Sequence, residues 1–154
     1  MKDEQKAMRV LYTILRPAFA ICLFLSQFDS SRTSFFTANP YLLSVGVILF
    51  VAGVSLSIGA SIYLKKAIDA NEIAVSGPFR YVRHPIYASM YVLSVGLGFI
   101  FFAWLWFLVM AAFISLWYLE CRNEEKEMVE LYGPRYIDYQ KRTGMLFPKV
   151  TTQA

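Results

Sequence analysis

From residue 86 to residue 119 the chain reads IYASMYVLSVGLGFIFFAWLWFLVMAAFISLWYL, a run of 34 residues without one charged side chain. A single helix of that length would be about 50 Å long, whereas the hydrocarbon core of a bilayer is about 30 Å thick. Two arms of about 17 residues each match that thickness better. The run therefore predicts a helical hairpin whose turn lies near Phe101-Phe102-Ala103-Trp104.

The rest of the chain is also too apolar for an ordinary soluble domain. Apolar side chains make up 57% of its 154 residues and charged side chains only 17%. Two further apolar stretches lie upstream, and the first is interrupted by Arg16-Pro17. This first stretch has no signal-peptide cleavage pattern, so we interpret it as a retained helix. The expected transmembrane segments are 10–28, 41–64, 86–101 and 104–120. The sequence therefore predicts one all-α, multi-pass membrane domain over residues 1–154, with about four transmembrane helices and a cytoplasmic helical tail at 121–154.

The distribution of basic residues predicts the orientation of these helices. Thirteen of the fifteen lysines and arginines lie before residue 10, between residues 65 and 83, or after residue 121. Basic residues concentrate on the cytoplasmic side of membrane proteins, so both termini are expected to be cytoplasmic, in the cell (inner) membrane. The net charge of +4 is explained by the anionic cytoplasmic leaflet and requires no nucleic acid partner.

The cysteines and the histidine argue against a metal site. The chain has one histidine and two cysteines, and Cys22 and Cys121 lie at different expected depths in the membrane. No Cys-x-x-Cys pair, Gly-rich phosphate loop or serine-histidine-acid set is present. The sequence therefore argues against a metal-dependent enzyme, a hydrolase or a nucleotidase.

Two polar clusters flank the hairpin. The basic pair Arg83-His84 precedes Pro85, which suits the first turn of a helix, and the acidic pair Glu124-Glu125 follows the second arm. Counted from a turn near Ala103, His84 lies about 19 residues back and Glu124 about 21 forward, a difference of about 3 Å at helical rise. The two pairs are therefore expected to meet at one membrane surface and to form the active site.

These groups suit a zwitterionic ligand. A carboxylate would be bound by the basic pair at a helix N-terminus, and an ammonium or ribose hydroxyls by the acidic pair. Aromatic faces such as those of Tyr81 and Tyr87 would favour a sulfonium cation. S-adenosylmethionine carries all of these groups.

Three ordered motifs in the C-terminal half resemble a known family. They are Gly77-Pro78-Phe79-Arg80-Tyr81-Val82-Arg83-His84-Pro85-Ile86-Tyr87, then Glu124-Glu125, then Tyr132-Gly133-Pro134-Arg135-Tyr136-Ile137-Asp138-Tyr139 leading to Arg142 and Pro148. In these residues, from about 76 to 149, the chain resembles the isoprenylcysteine carboxyl methyltransferase and phospholipid methyltransferase family of integral membrane enzymes.

The resemblance implies an S-adenosylmethionine pocket closed by the last hairpin and the tail, with a hydrophobic or lipid-linked acceptor entering from the membrane lipids. The acceptor would be an isoprenylcysteine-like carboxylate or a phospholipid headgroup, and a unit this small could form a homodimer. The residues expected to take part in catalysis are Arg83, Glu124 and Glu125. Those expected to bind or enclose the cofactor are Tyr81, Arg83, His84, Tyr87, Glu124, Tyr136 and Arg142.

Two other classes remain open from the sequence. A membrane reductase of the sterol type would share a polar-flanked terminal hairpin but bind NADPH. A non-catalytic four-helix protein or transporter would be expected to carry a carboxylate in mid-membrane, and the acidic residues here lie at helix ends or in loops.

Overall fold

The structure is a computed structural model that describes residues 39–101 and 104–149. Within these residues it is all-helical and contains no named strand, which confirms the all-α part of the predicted fold class there. The helices are α1 (Pro40–Asp69), a short 3-10 helix (Gly77–Arg80), α2 (Pro85–Phe101), α3 (Trp104–Tyr132) and α4 (Pro134–Arg142). The crossing predicted at 10–28 lies outside the described residues.

Helix α1 has a well-formed start and an apolar body. The Asn39 side chain accepts a hydrogen bond from the Tyr41 amide, and Pro40 occupies the first turn, where its missing N–H costs nothing. Within the described ranges, α1 is the helix long and apolar enough to cross a membrane, and α2 is a shorter apolar helix. The number of crossings predicted from the sequence stays a prediction.

Small residues allow α1 and α2 to pack closely. The buried residues of α1 are Gly46, Gly53 and Ala60, spaced seven apart along one face. A Cβ atom added at Gly53 would lie 2.6 Å from the Leu93 backbone nitrogen, and one at Gly96 would lie 2.6 Å from that of Phe50. The two backbones are therefore in direct contact, as is common between membrane helices.

Helices α2 and α3 form the predicted antiparallel hairpin. Helix α2 ends at Phe101 and α3 begins at Trp104, which are the residues predicted for the end of the first arm and the start of the second. The Trp106 indole donates to the Ser94 carbonyl oxygen at 2.6 Å, which joins the two arms near the turn. Helix α3 continues past the predicted membrane boundary at residue 120 to Tyr132, so the first part of the predicted helical tail is continuous with the second arm. Residues 120–132 contain neither glycine nor proline, and both first occur at Gly133-Pro134.

The C-terminal segment folds back onto the residues that precede α2. The Tyr139 hydroxyl donates to the Phe79 carbonyl oxygen at 2.6 Å. The backbone amide of Arg83 donates to the Gly144 carbonyl oxygen at 2.8 Å, and that of His84 donates to Met145 at 3.1 Å. These bonds fix the tail against the basic end of the hairpin.

Candidate active site

His84 lies buried between the two acidic residues at the open end of the hairpin. Its Nε2 is 3.2 Å from Glu125 Oε1, and its Nδ1 is 3.4 Å from Glu124 Oε2. Only 7% of its surface is exposed. The expectation that the basic and acidic pairs meet is therefore confirmed, and both ring nitrogens face carboxylate oxygens.

This environment favours the charged form of each partner. Burial lowers the pKa of His84, but hydrogen bonds with Cys121, Glu124 and Glu125 outweigh burial and raise it to about 11. Burial likewise raises the pKa of Glu125, but hydrogen bonds from His84 and Arg83 lower it by more, so that it lies below its usual range. Near neutral pH the pair is an imidazolium and a carboxylate.

Arg83 joins the hairpin to the tail. Its Nε donates to Glu125 Oε1 at 2.6 Å, and the side chains of both residues are nearly buried. Its Nη1 donates to the carbonyl oxygens of Gln140, at 3.1 Å, and Thr143, near the end of α4. Two of the three guanidinium nitrogens, Nε and Nη1, thus contact protein groups. The part of Arg83 in catalysis stays a prediction.

The two adjacent glutamates differ in what they contact. Glu125 Oε1 accepts from Arg83 and faces His84, while Oε2 accepts from the Gln140 amide at 2.9 Å. Glu124 accepts from the Tyr87 hydroxyl at 2.7 Å, and 45% of its side-chain surface remains exposed. Glu124 is therefore the carboxylate of the pair that a ligand can reach.

A large cavity opens beside Glu124. Its volume is about 840 Å³, within the range of small-molecule sites. The wall is mostly apolar along α2 and α3 and polar where the hairpin opens. The ionisable or polar groups at that end include Glu72, Arg83, His84, Tyr87, Glu124 and Tyr136. The shape suits a ligand with one polar end and one apolar portion.

The remaining predicted site residues separate into two groups. Tyr136 is only 3% exposed and lines the cavity, as expected for a residue that encloses a ligand. Tyr81 is 64% exposed and is not one of the described residues that line the cavity. Its neighbours Phe79 and Val82 are the buried residues of this segment. Arg142 lies on the exposed face of α4, where its Nε donates to the Asp138 carbonyl oxygen. Neither is brought to the cavity.

Sequence reasoning missed Gln140. Its side chain donates to Glu125 and its carbonyl oxygen accepts from Arg83, so it contacts both ends of the central ion pair. A glutamine on a polar helix gives no signal of its own. The resemblance in the C-terminal motif marked the flanking positions Tyr136, Tyr139 and Arg142.

Comparison with known proteins gives a consistent result. The family model for phospholipid methyltransferase matches residues 35–135. Methanethiol S-methyltransferase of Pseudomonas deceptionensis is 32% identical over 80% of this chain and 49% of its own length. Protein-S-isoprenylcysteine O-methyltransferase of Schizosaccharomyces pombe is 27% identical over 92% of this chain and 58% of its own length. The nickel-cobalt-cadmium resistance protein NccN of Alcaligenes xylosoxydans xylosoxydans is 26% identical over 82% of this chain and 56% of its own. The chain spans about half the length of these curated relatives.

Proposed function

This chain belongs to the phospholipid methyltransferase family, and we propose that it is an S-adenosylmethionine-dependent methyltransferase acting on a hydrophobic acceptor at the membrane. The observation that carries the proposal is the position of His84 and Glu124 at the polar end of a large apolar cavity. Relatives named for methyl transfer to a thiol and to isoprenylcysteine support the reaction class.

The residues around the cavity fit the proposed cofactor. Glu124 is a partly exposed carboxylate that would hold an ammonium group. His84 is a buried imidazolium whose two nitrogens face Glu125 and Glu124, so it would hold the Glu124 carboxylate in place for the ligand. The rings of Tyr87 and Tyr136 line the cavity and would favour a sulfonium. The cavity volume, about 840 Å³, leaves room for a second ligand portion. When bound, S-adenosylmethionine would supply an electrophilic methyl group.

The chain's own contribution would be orientation, exclusion of water and proton acceptance. Apolar side chains of α2 and α3 such as Leu93, Leu97 and Phe113 line the cavity and would hold the acceptor's hydrophobic portion away from water. An amine or thiol acceptor must lose a proton, and Glu124 is the exposed carboxylate positioned to accept it. A carboxylate acceptor would need no base.

We also place the protein in a membrane. Helix α1 is apolar enough to span one, and it exposes large apolar side chains, including Leu43, Val47, Ile48 and Val51, that lipid would cover. We further propose that both termini are cytoplasmic, that the membrane is the inner membrane and that the protein forms a homodimer. These three points rest on the sequence alone.

The direct test is calorimetric titration of the purified protein in detergent with S-adenosylhomocysteine, and in parallel with NADPH. Saturable binding of S-adenosylhomocysteine alone is the expected result. Binding of NADPH alone would favour the sterol-type reductase, and binding of neither by folded protein would contradict the proposal. Transfer of a labelled methyl group to a phospholipid amine, an alkyl thiol or a prenylcysteine would then identify the acceptor.

A further inference from the structure

Gln140 on α4 contacts both partners of the ion pair and is not one of the described residues that line the cavity. Its Nε2 donates to Glu125 Oε2 at 2.9 Å, the oxygen that Arg83 and His84 do not use. Its backbone carbonyl oxygen accepts from Arg83 Nη1 at 3.1 Å. One residue of the tail therefore holds both partners of the central ion pair.

This contact decides how Glu125 is oriented. A carboxylate can rotate about its last bond and exchange its two oxygens, unless different donors hold each of them. With the Gln140 amide on Oε2, the other oxygen, Oε1, stays directed at Arg83 and His84. The His84 ring is then fixed through Nε2, and its Nδ1 faces Glu124 at 3.4 Å.

We propose that Gln140 is a positioning residue that acts through Glu125 to orient His84 and, through His84, the exposed carboxylate Glu124. The inference rests on the proposed function only for its effect on cofactor binding. Its structural part, the link from the tail to the histidine, stands independently of that function.

Several ionisable groups share this environment and bear on any pH measurement. Those that face Glu125 are Arg83 and His84 before α2, Tyr136 and Tyr139 on α4, and Glu124 on the same helix. The tyrosines are neutral near neutral pH because burial raises the pKa of both. His84 stays protonated and Glu125 stays ionised between pH 5 and 8, so a pH dependence that a substitution at Gln140 introduces over this range reports on the new side chain.

Two substitutions separate positioning from simple stability. Gln140→Leu removes the donor and keeps a similar volume. Gln140→Glu is nearly isosteric, and its carboxyl can donate to Glu125 only when protonated, which the neighbouring carboxylate favours at acidic pH. Lys141→Gln is the matched control, because Lys141 is an exposed neighbour whose amine pairs only with Asp138 among the described side chains.

The readout is S-adenosylhomocysteine affinity by calorimetry from pH 5 to pH 8. Gln140→Leu should bind about tenfold more weakly at pH 7, because one hydrogen bond to a charged group is lost. Gln140→Glu should bind nearly as well as the unmodified protein at pH 5 and lose affinity toward pH 8. If both variants follow the profile of Lys141→Gln and differ only in melting temperature, the proposal is wrong.

A second measurement does not depend on the function. The chain has one histidine, so protein labelled with 15N-histidine gives two ring-nitrogen signals, Nδ1 and Nε2, both from His84. Gln140→Leu should shift these signals and Lys141→Gln should not. An unchanged His84 signal in Gln140→Leu overturns the positioning role, whereas failure of the unmodified protein to bind S-adenosylhomocysteine overturns only the proposed function.

Discussion

Replacing Glu125 by glutamine should destabilise the protein strongly. The carboxylate accepts from Arg83 and Gln140 and faces the His84 ring at 3.2 Å, and 10% of its side-chain surface is exposed. Glu125→Gln leaves two cations without their shared anion and turns an amide donor toward the donor of Gln140 or His84. Removing one partner of a buried pair costs about 3–5 kcal/mol.

That cost can be measured as a melting temperature. For a chain of this size about 1 kcal/mol corresponds to roughly 2–4 °C, so the expected decrease is about 6–20 °C. The assay is thermal unfolding in detergent at pH 7, followed by intrinsic fluorescence. Glu130→Gln is the control, because Glu130 is exposed on the same helix. A melting temperature of Glu125→Gln within about 2 °C of the control would refute the account of the ion pair as a stabilising centre.

Three further predictions test the charge state, the ligand side and the packing. The pKa of His84 is raised from 6.5 to about 11, so the stabilisation by its charged form is complete below pH 6.5 and declines as the pH rises toward 11. The melting temperature should therefore fall between pH 6.5 and 9. This fall should be less steep in His84→Gln. Glu124→Gln should weaken S-adenosylhomocysteine binding about tenfold in calorimetry with little change in melting temperature, since Glu124 is half-exposed; a large thermal effect would contradict this division between the glutamates. Gly53→Leu should lower the melting temperature by about 3–10 °C, because the new side chain would overpack against Leu93. Gly59→Leu is the control and should not lower it, because a Cβ added there meets no atom within 4 Å.

The sequence was sufficient for the features that follow from length and periodicity. The uncharged run 86–119 required a turn near its middle, and equal arms required His84 and Glu124 to return to one level. Both expectations depend only on helical rise and membrane thickness, so no knowledge of side-chain packing was needed. The structure accordingly brings these residues within 3.4 Å of each other.

The features that depend on side-chain direction could not be predicted in the same way. Tyr81 was expected at the ligand because it is aromatic and lies within the first motif, but the 3-10 helix before it directs Phe79 inward and leaves Tyr81 exposed. Arg83 was expected to bind an anionic ligand, whereas its Nε and Nη1 contact Glu125 and the end of α4. Those partners lie 42 and 57 residues away, so only tertiary structure reveals them.

The attachment of the tail to Arg83 has a consequence for biosynthesis. Synthesis proceeds from the N-terminus, so both arms of the hairpin exist before the carbonyl groups of Gln140 and Thr143 that Arg83 requires. A nascent chain ending before residue 140 would leave the guanidinium without these acceptors and Glu125 without one of its donors. The ion pair thus becomes complete only when nearly the whole described segment has been made, and premature termination yields a hairpin whose polar end is unfinished and exposed to proteolytic quality control.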